Sequence, residues 1–420
     1  MNAKEYFQKK QAEEAGAGKT DTDKAGVSNA DAGNDEGGEL IELDARIKQH
    51  KRGRRRLIII LTVVAAAVFF AFWFAVNRQT YDSYKVISET ERTEETDGTY
   101  MWFEKLIIRY TNDGVTAMDS SQNELWQQAY EMSNPIAVEE GSSLAVADKE
   151  GNKIYVFSKD GLRGQIWTEL PVQSISVSDQ GIVEAIIRND EQTKIVCYDL
   201  KGNKLVEAKA SLNNTGYPIA AAISKDGKRM LVSYVKISDK ISDRVICYNF
   251  STSGQTEAEM KVMDEEYDGI LIPTVFFTDD STAVAAAGDR LIIYKGSDRL
   301  EKSSEVAMDR QIKSLLWNDK GIELVLRNTE GDYKYTLKSY SLSGREVSSK
   351  DFNEEYSSIS LEGNRVILLN DMQCTVYTTR GHKVFSGEFD TSLINVMPMP
   401  GINKFLVIRN NTIQTIRLTK

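Results

Sequence analysis

Histidine and cysteine are scarce in this sequence, which contains two and three of them among 420 residues. The histidines are His50 and His382, and the cysteines are Cys197, Cys247 and Cys374. No C-x-x-C, H-E-x-x-H or D-x-D-x-D-G motif occurs, so no zinc, thiol-exchange or calcium-loop site is predicted. A serine nucleophile needs a positioned base, and no G-x-S-x-G motif is present. We therefore predict no catalytic residue, no metal ligand and no cofactor, and we expect the cysteines to be buried strand residues.

Charge is absent from one stretch, Leu57 to Val76, whose only polar side chain is that of Thr62. Twenty helical residues at about 1.5 Å each span a bilayer core of about 30 Å. Seven basic and no acidic residues lie in 45–56, whereas Arg78 alone follows closely, so the positive-inside rule places the N-terminus in the cytoplasm. We predict an uncleaved single-pass anchor, because the apolar run is too long for a signal peptide and lacks its cleavage pattern.

Residues 1–56 are predicted to form a cytoplasmic tail, most of it disordered, because 1–44 are polar, rich in Gly and Ala, and without apolar periodicity. One exception is 39–50, where Leu40, Ile41, Leu43 and Ile47 have helical spacing. This stretch is either a docking motif for a cytoplasmic partner or, as we favour, a helix lying against the lipid headgroups.

The part beyond the anchor is acidic, with 39 basic and 51 acidic residues in 79–420 and a net charge of −12. Phosphate binding requires a basic surface, so nucleic acid is excluded as a partner. This part is predicted to be a single extracytoplasmic domain over 77–420.

A hairpin pattern recurs throughout this domain. Each copy has an alternating apolar strand, a polar turn and a second strand, and the copies occupy 114–126, 152–167, 193–208, 243–258, 289–304, 335–350, 374–387 and 411–420. Most are preceded by a second strand pair, which gives four-stranded units every 40–50 residues, the spacing of propeller blades. Tyrosines recur at hairpin ends, at Tyr155, Tyr198, Tyr248 and Tyr294, which favours packing between blades over a ligand surface.

The fold class predicted is therefore all-β, a β-propeller of eight four-stranded blades after one transmembrane helix. The last hairpin lacks its second strand, and SYKVIS (83–88) supplies a spare strand that closes the ring with the C-terminal blade. Seven blades remain an alternative if the fourth unit, which has a long connection around 233–246, is irregular. Since 77–82 reach about 20 Å at most, we expect the anchor to hold this closing strand near the bilayer.

Two turns carry a resemblance to a known repeat. AMDSSQNELW (117–126) and CYDLKGNKLV (197–206) are similar to the repeat of quinoprotein-type (PQQ-like, WD40-like) propellers, in which an Asp makes the turn and a Trp packs between blades. Only Trp126 and Trp167 hold the Trp position. The layout of tail, anchor and propeller resembles uncharacterised membrane-anchored propeller proteins of Gram-positive bacteria, and this resemblance implies an envelope location.

Function is predicted from these features to be non-catalytic: a membrane-anchored scaffold or binding module in the cell envelope, with an envelope protein or cell-wall material as partner. The alternative is an extracytoplasmic enzyme, either a quinoprotein-like oxidoreductase or a carbohydrate-active hydrolase. The resemblance to quinoproteins implies a vicinal disulfide for the oxidoreductase, and this chain has no adjacent cysteines. A hydrolase needs paired carboxylates, whose pairing in space the sequence does not reveal. A relay of binding to the cytoplasmic tail is a third, less supported, function.

Overall fold

The computed structural model describes residues 58–70, 79–93, 97–209, 215–237 and 240–420. The chain divides into two units, Met1–Asn77 and Arg78–Lys420, which are described separately. The predicted cytoplasmic tail, 1–56, lies outside the described residues.

The first unit contributes one described helix, α1, over 58–70. The hydroxyl of Thr62 donates a hydrogen bond of 2.8 Å to the carbonyl of Ile58, which gives the one polar side chain of this helix a partner inside it. Its large apolar side chains are exposed. The remainder of the predicted anchor, Leu57 and 71–76, lies outside the described residues. No helix in the described ranges is long and apolar enough to cross a membrane, so the anchor stays a prediction.

The second unit, as far as it is described, contains eight four-stranded antiparallel sheets, each of which is one propeller blade. Blades 1 to 4 consist of β2 (Thr99–Phe103), β3 (Leu106–Tyr110), β4 (Gly114–Met118) and β5 (Glu124–Ala129); β6 (Pro135–Glu140), β7 (Ser143–Asp148), β8 (Lys153–Ser158) and β9 (Gly161–Trp167); β10 (Val172–Val177), β11 (Val183–Arg188), β12 (Thr193–Tyr198) and β13 (Lys204–Lys209); and β14 (Tyr217–Ile223), β15 (Arg229–Ile237), β16 (Ile241–Asn249) and β17 (Lys261–Asp268). Two short 3₁₀ turns, Gly254–Thr256 and Ala258–Met260, precede β17.

Blades 5 to 8 follow in the same order, and the last of them also takes a strand from the start of the unit, β1 (Ser83–Glu91). They consist of β18 (Thr274–Asp279), β19 (Thr282–Ala286), β20 (Arg290–Lys295) and β21 (Glu301–Ala307); β22 (Ile312–Trp317), β23 (Ile322–Arg327), β24 (Tyr335–Tyr340) and β25 (Glu346–Phe352); β26 (Ser358–Glu362), β27 (Arg365–Asn370), β28 (Gln373–Thr378) and β29 (Lys383–Glu388); and β30 (Leu393–Pro398), β31 (Lys404–Arg409), β32 (Thr412–Thr419) and β1. The prediction of eight four-stranded blades is confirmed, and the fourth unit is a complete blade with unusually long strands.

The core lies between blades rather than within them. The second and third strands of a blade are buried on both faces, as in β7, where every residue from Ser143 to Asp148 is buried. Strands of this kind have continuous apolar runs instead of alternation, because both faces meet protein. The first strands of neighbouring blades, such as β14 and β18, contact each other and therefore lie nearest the ring axis. The fourth strands are largely exposed.

An aromatic ring at the end of the third strand fills the outer part of most interfaces. These buried rings belong to Phe157, Tyr198, Tyr248, Tyr294, Tyr340 and Tyr377. Each follows a register shift between the third and fourth strands of its blade, at the same point of the repeat. The predicted packing role of Tyr155, Tyr198, Tyr248 and Tyr294 is confirmed, since all four belong to apolar clusters between blades. The cysteines are likewise buried and free.

Blade 8 joins the two ends of the propeller. The segment that the sequence assigns to closure, 83–88, lies within β1, which pairs antiparallel with β32 from Ser83–Thr419 to Glu91–Thr412. Just before β1, the backbone N–H of Tyr81 donates a 2.8 Å hydrogen bond to the carbonyl of Val384 in blade 7. The Tyr81 ring is buried in the cluster between blades 7 and 8, and its hydroxyl accepts a 2.6 Å hydrogen bond from the Asn403 amide. The closing strand is therefore fixed to two blades.

Replacing Tyr81 by alanine tests this attachment. Tyr81→Ala removes a buried ring and leaves the Asn403 amide without its partner, so the free energy of unfolding should fall by about 3 kcal/mol. Denaturant unfolding followed by tryptophan fluorescence measures the change. Asp82→Ala, at an exposed neighbouring position, is the matched control; equal stability of the two variants would contradict the role given to Tyr81.

Candidate functional site

An open groove separates blade 8 from blade 1, the two blades that meet at the closure of the ring. We call it the seam groove, and it forms a cavity of about 1220 Å³. Its lining comes from β1 and the ends of β31 and β32 on one side and from β2 to β5 on the other. A smaller cavity of about 530 Å³ lies in the equivalent place between blades 6 and 7, against Phe352 and Tyr377.

Blade 8 leaves the groove open because its outermost strand presents only small side chains to blade 1. At other interfaces the fourth strand inserts an apolar group, such as Ile166 of β9 or Phe352 of β25. The cluster between blades 8 and 1 receives no residue from β1. The residues of β1 that line the groove are Ser88 and Thr90, and hydroxyls of this size cannot fill the space.

Blade 1 leaves the groove open for a related reason. Met118 ends its third strand, at the register shift where blades 2 to 7 carry Phe157 or a tyrosine. Its unbranched side chain is partly buried and belongs to the margin of the cluster, so it occupies less of the outer interface than a ring does. This substitution in the repeat, together with the absence of apolar residues from the second half of β1, 88–91, is the sequence signal from which the groove could have been inferred.

The floor of the groove is apolar and its walls are polar. Ile107, Leu406 and Ile413 are buried beneath it. On the walls stand Ser88 and Thr90 of blade 8 and, from blade 1, hydroxyl and amide side chains that include Thr116, Ser121, Gln122 and Gln127. Hydrogen-bonding groups above an apolar floor are the usual composition of a binding site.

The ionisable side chains of the groove are mostly acidic. Arg109 is the cation of its described lining, and this guanidinium donates hydrogen bonds to the Thr116 hydroxyl at 3.2 Å and to the Asp97 carbonyl at 3.5 Å. Asp97 forms an ion pair with Arg92. Asp113 and Glu124 lie towards opposite ends of the groove, one at each end of the hairpin strands, and are exposed. The groove is therefore better suited to a neutral or basic ligand than to an anion.

Two carboxyls at the ends of first strands are near enough for one to raise the pKa of the other. Glu139 lies near the end of β6 and Glu362 at the end of β26, both first strands. Desolvation by the surrounding blades, and then repulsion from Glu140, raise the pKa of Glu139 to about 7, although its side chain still reaches water; Lys225 acts in the opposite direction. Desolvation followed by repulsion from Glu139 raises the pKa of Glu362 to about 7. The pair is held at one mouth of the ring.

Two further carboxyls are buried between blades at matching positions of the repeat, in VEAIIR and IELVLR. Burial raises the pKa of Glu184 to about 8, opposed by a hydrogen bond of 2.8 Å that the Ser176 hydroxyl donates to it. Its other carboxyl oxygen has no hydrogen-bond partner among the described residues. Burial also raises the pKa of Glu323 to about 7, opposed by a hydrogen bond from Ser339. Equivalent positions elsewhere are apolar, as at Leu144.

The sequence features considered above as possible catalytic or metal sites are not brought together in the described part of the chain. His382 lies beside the closing segment, where its Nε2 is 3.4 Å from the carbonyl of Gln79. Within the described ranges, no group of three or more His, Cys, Asp or Glu side chains is arranged to hold a metal. In the Asp160-Gly161 and Asp226-Gly227 turns, the glycines have φ of +115° and +68°, which glycine adopts without strain.

The two turns that resemble the quinoprotein-type repeat have one geometry. The Asp119 carboxylate accepts hydrogen bonds from the backbone N–H of Ser121 and Asn123, at 2.7 and 3.0 Å, and Asp199 accepts the same bonds at its own turn. Trp126 stacks on Phe157 of the next blade with ring centroids 5.4 Å apart. The expectation for Trp167 is wrong: its side chain is 62% exposed, because the neighbouring Ile166 takes the inward position on β9.

Strand pairing thus defines the class of this protein as an eight-bladed β-propeller. Residues 77–418 match the model of a family described as "Family of unknown function (DUF5711)", and the chain belongs to that family. No curated protein matches it.

Similar solved structures include BamB from Moraxella catarrhalis, with 11% identity and a TM-score of 0.47 over 80% of this chain and 100% of that one. Apo AztD from Citrobacter koseri has 11% identity and a TM-score of 0.47 over 70% and 87%. Likeness at this level carries no argument about function.

The buried carboxyl of Glu184 predicts a pH dependence of stability. Its pKa in the folded chain, about 8, lies above the unfolded value of about 4.3. The stability that the protonated carboxyl contributes is therefore fully present below about pH 4 and is lost as the pH rises to about 8. Over that range the contribution of this group to the free energy of unfolding falls by up to about 1.4 kcal/mol per pH unit. Glu184→Gln should flatten the unfolding free energy between pH 5 and 8 in denaturant titrations. Glu191→Gln, at an exposed site, should not; identical profiles for both variants would contradict the assignment.

Proposed function

We propose that this protein is a membrane-anchored, non-catalytic binding module of the bacterial cell envelope, and that the seam groove is its ligand site. The observation that carries the proposal is the groove itself. Above its apolar cluster, this interface receives no residue from the fourth strand of blade 8 and Met118 instead of an aromatic ring from the third strand of blade 1, and polar groups line the space that remains. A rigid ring with an open groove at one interface is suited to binding, because a preformed site loses little conformational entropy when the ligand binds.

The anchor part of the proposal depends on the first unit. Leu57 to Val76 is uncharged and follows a basic cluster, which favours a single-pass helix with the N-terminus inside and the propeller outside. The exposed apolar side chains of helix α1 support this, since their hydration costs free energy that a lipid environment removes. The Asp119 and Asp199 turns support kinship with quinoprotein-type repeats, and the layout supports kinship with membrane-anchored propellers of Gram-positive bacteria.

The alternative function, a carbohydrate-active hydrolase, is favoured by one observation, the carboxyl pair Glu139 and Glu362. A hydrolytic pair needs one protonated and one ionised carboxyl, with pKa values that differ. Here desolvation raises the pKa of both to about 7. Both shifts have the same direction and cause, so they assign neither carboxyl as the acid, and the binding module, which has a cavity in its favour, is the better proposal. A quinoprotein-like oxidoreductase has no comparable observation in its favour.

Thiol labelling tests the orientation. The three native cysteines are buried, so a single introduced cysteine reports cleanly. Ser343→Cys, in an exposed turn, should react with a membrane-impermeant maleimide on intact cells. Ser28→Cys in the tail should react only after the cells are lysed. The reverse pattern, or recovery of the protein in the soluble fraction, would overturn the anchor.

Photo-crosslinking from the groove tests the binding site. A benzophenone amino acid in place of Gln127, which lines the groove, should give a defined covalent adduct on irradiated cells. The matched control carries the same group at Ser349, an exposed position on the outermost strand of blade 6. Adducts of equal yield and mass from the two sites, or none from Gln127, would count against the seam groove.

A further inference from the structure

The seam groove carries information about the chemistry of its ligand. We propose that it binds an extended polypeptide segment with basic side chains at both ends. This inference rests on the proposed function, because it takes the groove to be the ligand site and names the class of ligand.

The shape of the groove suits an extended chain. Its lining follows the whole of β4, from Gly114 at one rim to Met118 near the other, and continues to Asn134 and to Ser121 beyond the two ends. Five strand residues span about 17 Å at about 3.3 Å per residue. A peptide of about six to eight residues would therefore lie in the groove along the blade, whereas a compact small molecule would contact only part of it.

The lining matches the alternating character of such a chain. Ser88, Thr90 and Gln127 on the walls offer both donors and acceptors, which are the groups that the N–H and C=O of a peptide backbone require. Below them, Ile413 and Leu406 form a buried apolar floor. Every second side chain of an extended peptide points to one face, so small apolar residues at alternate positions would meet this floor.

The charged residues of the groove indicate which side chains the two ends of the peptide carry. Asp113 and Glu124 are exposed at opposite ends of the groove, and neither is engaged in an ion pair in the described part of the chain. The positive group of the lining, Arg109, is already hydrogen-bonded to Thr116 and Asp97. Lysine or arginine near each end of the peptide would pair with these carboxylates. The net charge of −12 over residues 79–420 would also favour the approach of a basic ligand.

The same lining argues against an oligosaccharide. Sugar rings bind mainly by stacking on exposed aromatic faces. Of the two tyrosines in the lining, Tyr100 is 5% exposed and Tyr110 packs against the apolar cluster between blades 1 and 2. An anionic wall polymer would meet Asp97, Asp113 and Glu124 at close range. A polypeptide is the class of ligand that satisfies the hydroxyls, the floor and the carboxylates together.

Selection from a random peptide library tests the proposal. The full-length protein in lipid nanodiscs is panned against displayed decapeptides, with counter-selection on Gln127→Trp, whose ring fills the groove. Enriched sequences should carry Lys or Arg near both ends and apolar residues at alternate positions between them. Synthetic fluorescent versions should bind the wild-type protein about tenfold more tightly than Gln127→Trp. Ser349→Trp, with the same ring outside the groove, should bind as the wild type does.

Charge variants and the other probes test separately whether the ligand is a basic peptide and whether the seam groove is its site. Glu124→Gln and Asp113→Asn should each weaken the binding of the selected peptides about two- to fivefold at low salt. Each should also remove the part of the salt dependence of that binding that comes from one end of the peptide. Enriched peptides that are acidic, or that bind Gln127→Trp as well as the wild type, would overturn the inference. If no peptide is enriched while N-acetylglucosamine oligomers bind the wild type and not Gln127→Trp, the ligand class is wrong and the groove remains the site. If neither probe depends on Gln127 and photo-crosslinking from that position also fails, the proposed site itself is wrong.

Discussion

Pairing between β1 and β32 is the interaction on which the rest of the structure depends. A four-stranded blade cannot bury both of its faces alone, so each blade is stable only between two neighbours, and the ring must close. Here closure joins residues more than three hundred positions apart, Ser83 with Thr419 and Glu91 with Thr412. Tyr81 adds a contact with blade 7 immediately before the closing strand. Every other interface depends on this one, because an open ring would leave two apolar blade faces in water.

The seam groove is a consequence of how that closure is made. The closing strand has its apolar side chains, such as Tyr84, on the face towards blade 7, and it turns Ser88 and Thr90 towards blade 1. The register shift between Val86 and Ser88 makes this possible, because Tyr84, Ser88 and Thr90 are separated by even numbers of residues and would share one face of a regular strand. Met118 in blade 1 completes the opening. The ring is thus held shut on one side of blade 8 and left accessible on the other, which is compatible with both a stable closure and the proposed binding site at the same seam.

Much of the fold could be predicted from the sequence, because propeller blades are local units. The hairpins around Tyr155, Tyr198, Tyr248 and Tyr294 form from neighbouring residues, and their recurrence reveals the period and the blade count. The groove was not predicted, because it arises between residues distant in the chain and consists of space that side chains fail to fill. The carboxyl pair Glu139 and Glu362 was missed for a similar reason: blades 2 and 7 bring the two together only around the ring axis. Trp167 shows a further limit, since the register within β9 decided that Ile166, and not the tryptophan, faces inward.

The sequence by itself determined the all-β class, the eight repeats and the strand available for closure, because periodicity and turn residues act over a few positions. Its charge pattern also predicted which ligands are disfavoured, since the net charge of −12 over 79–420 is independent of how the chain folds. Only the tertiary structure decided which interface is left open and which carboxyls have a raised pKa. Those properties depend on burial, as at Glu184, and burial is fixed when strands far apart in the chain pack face to face.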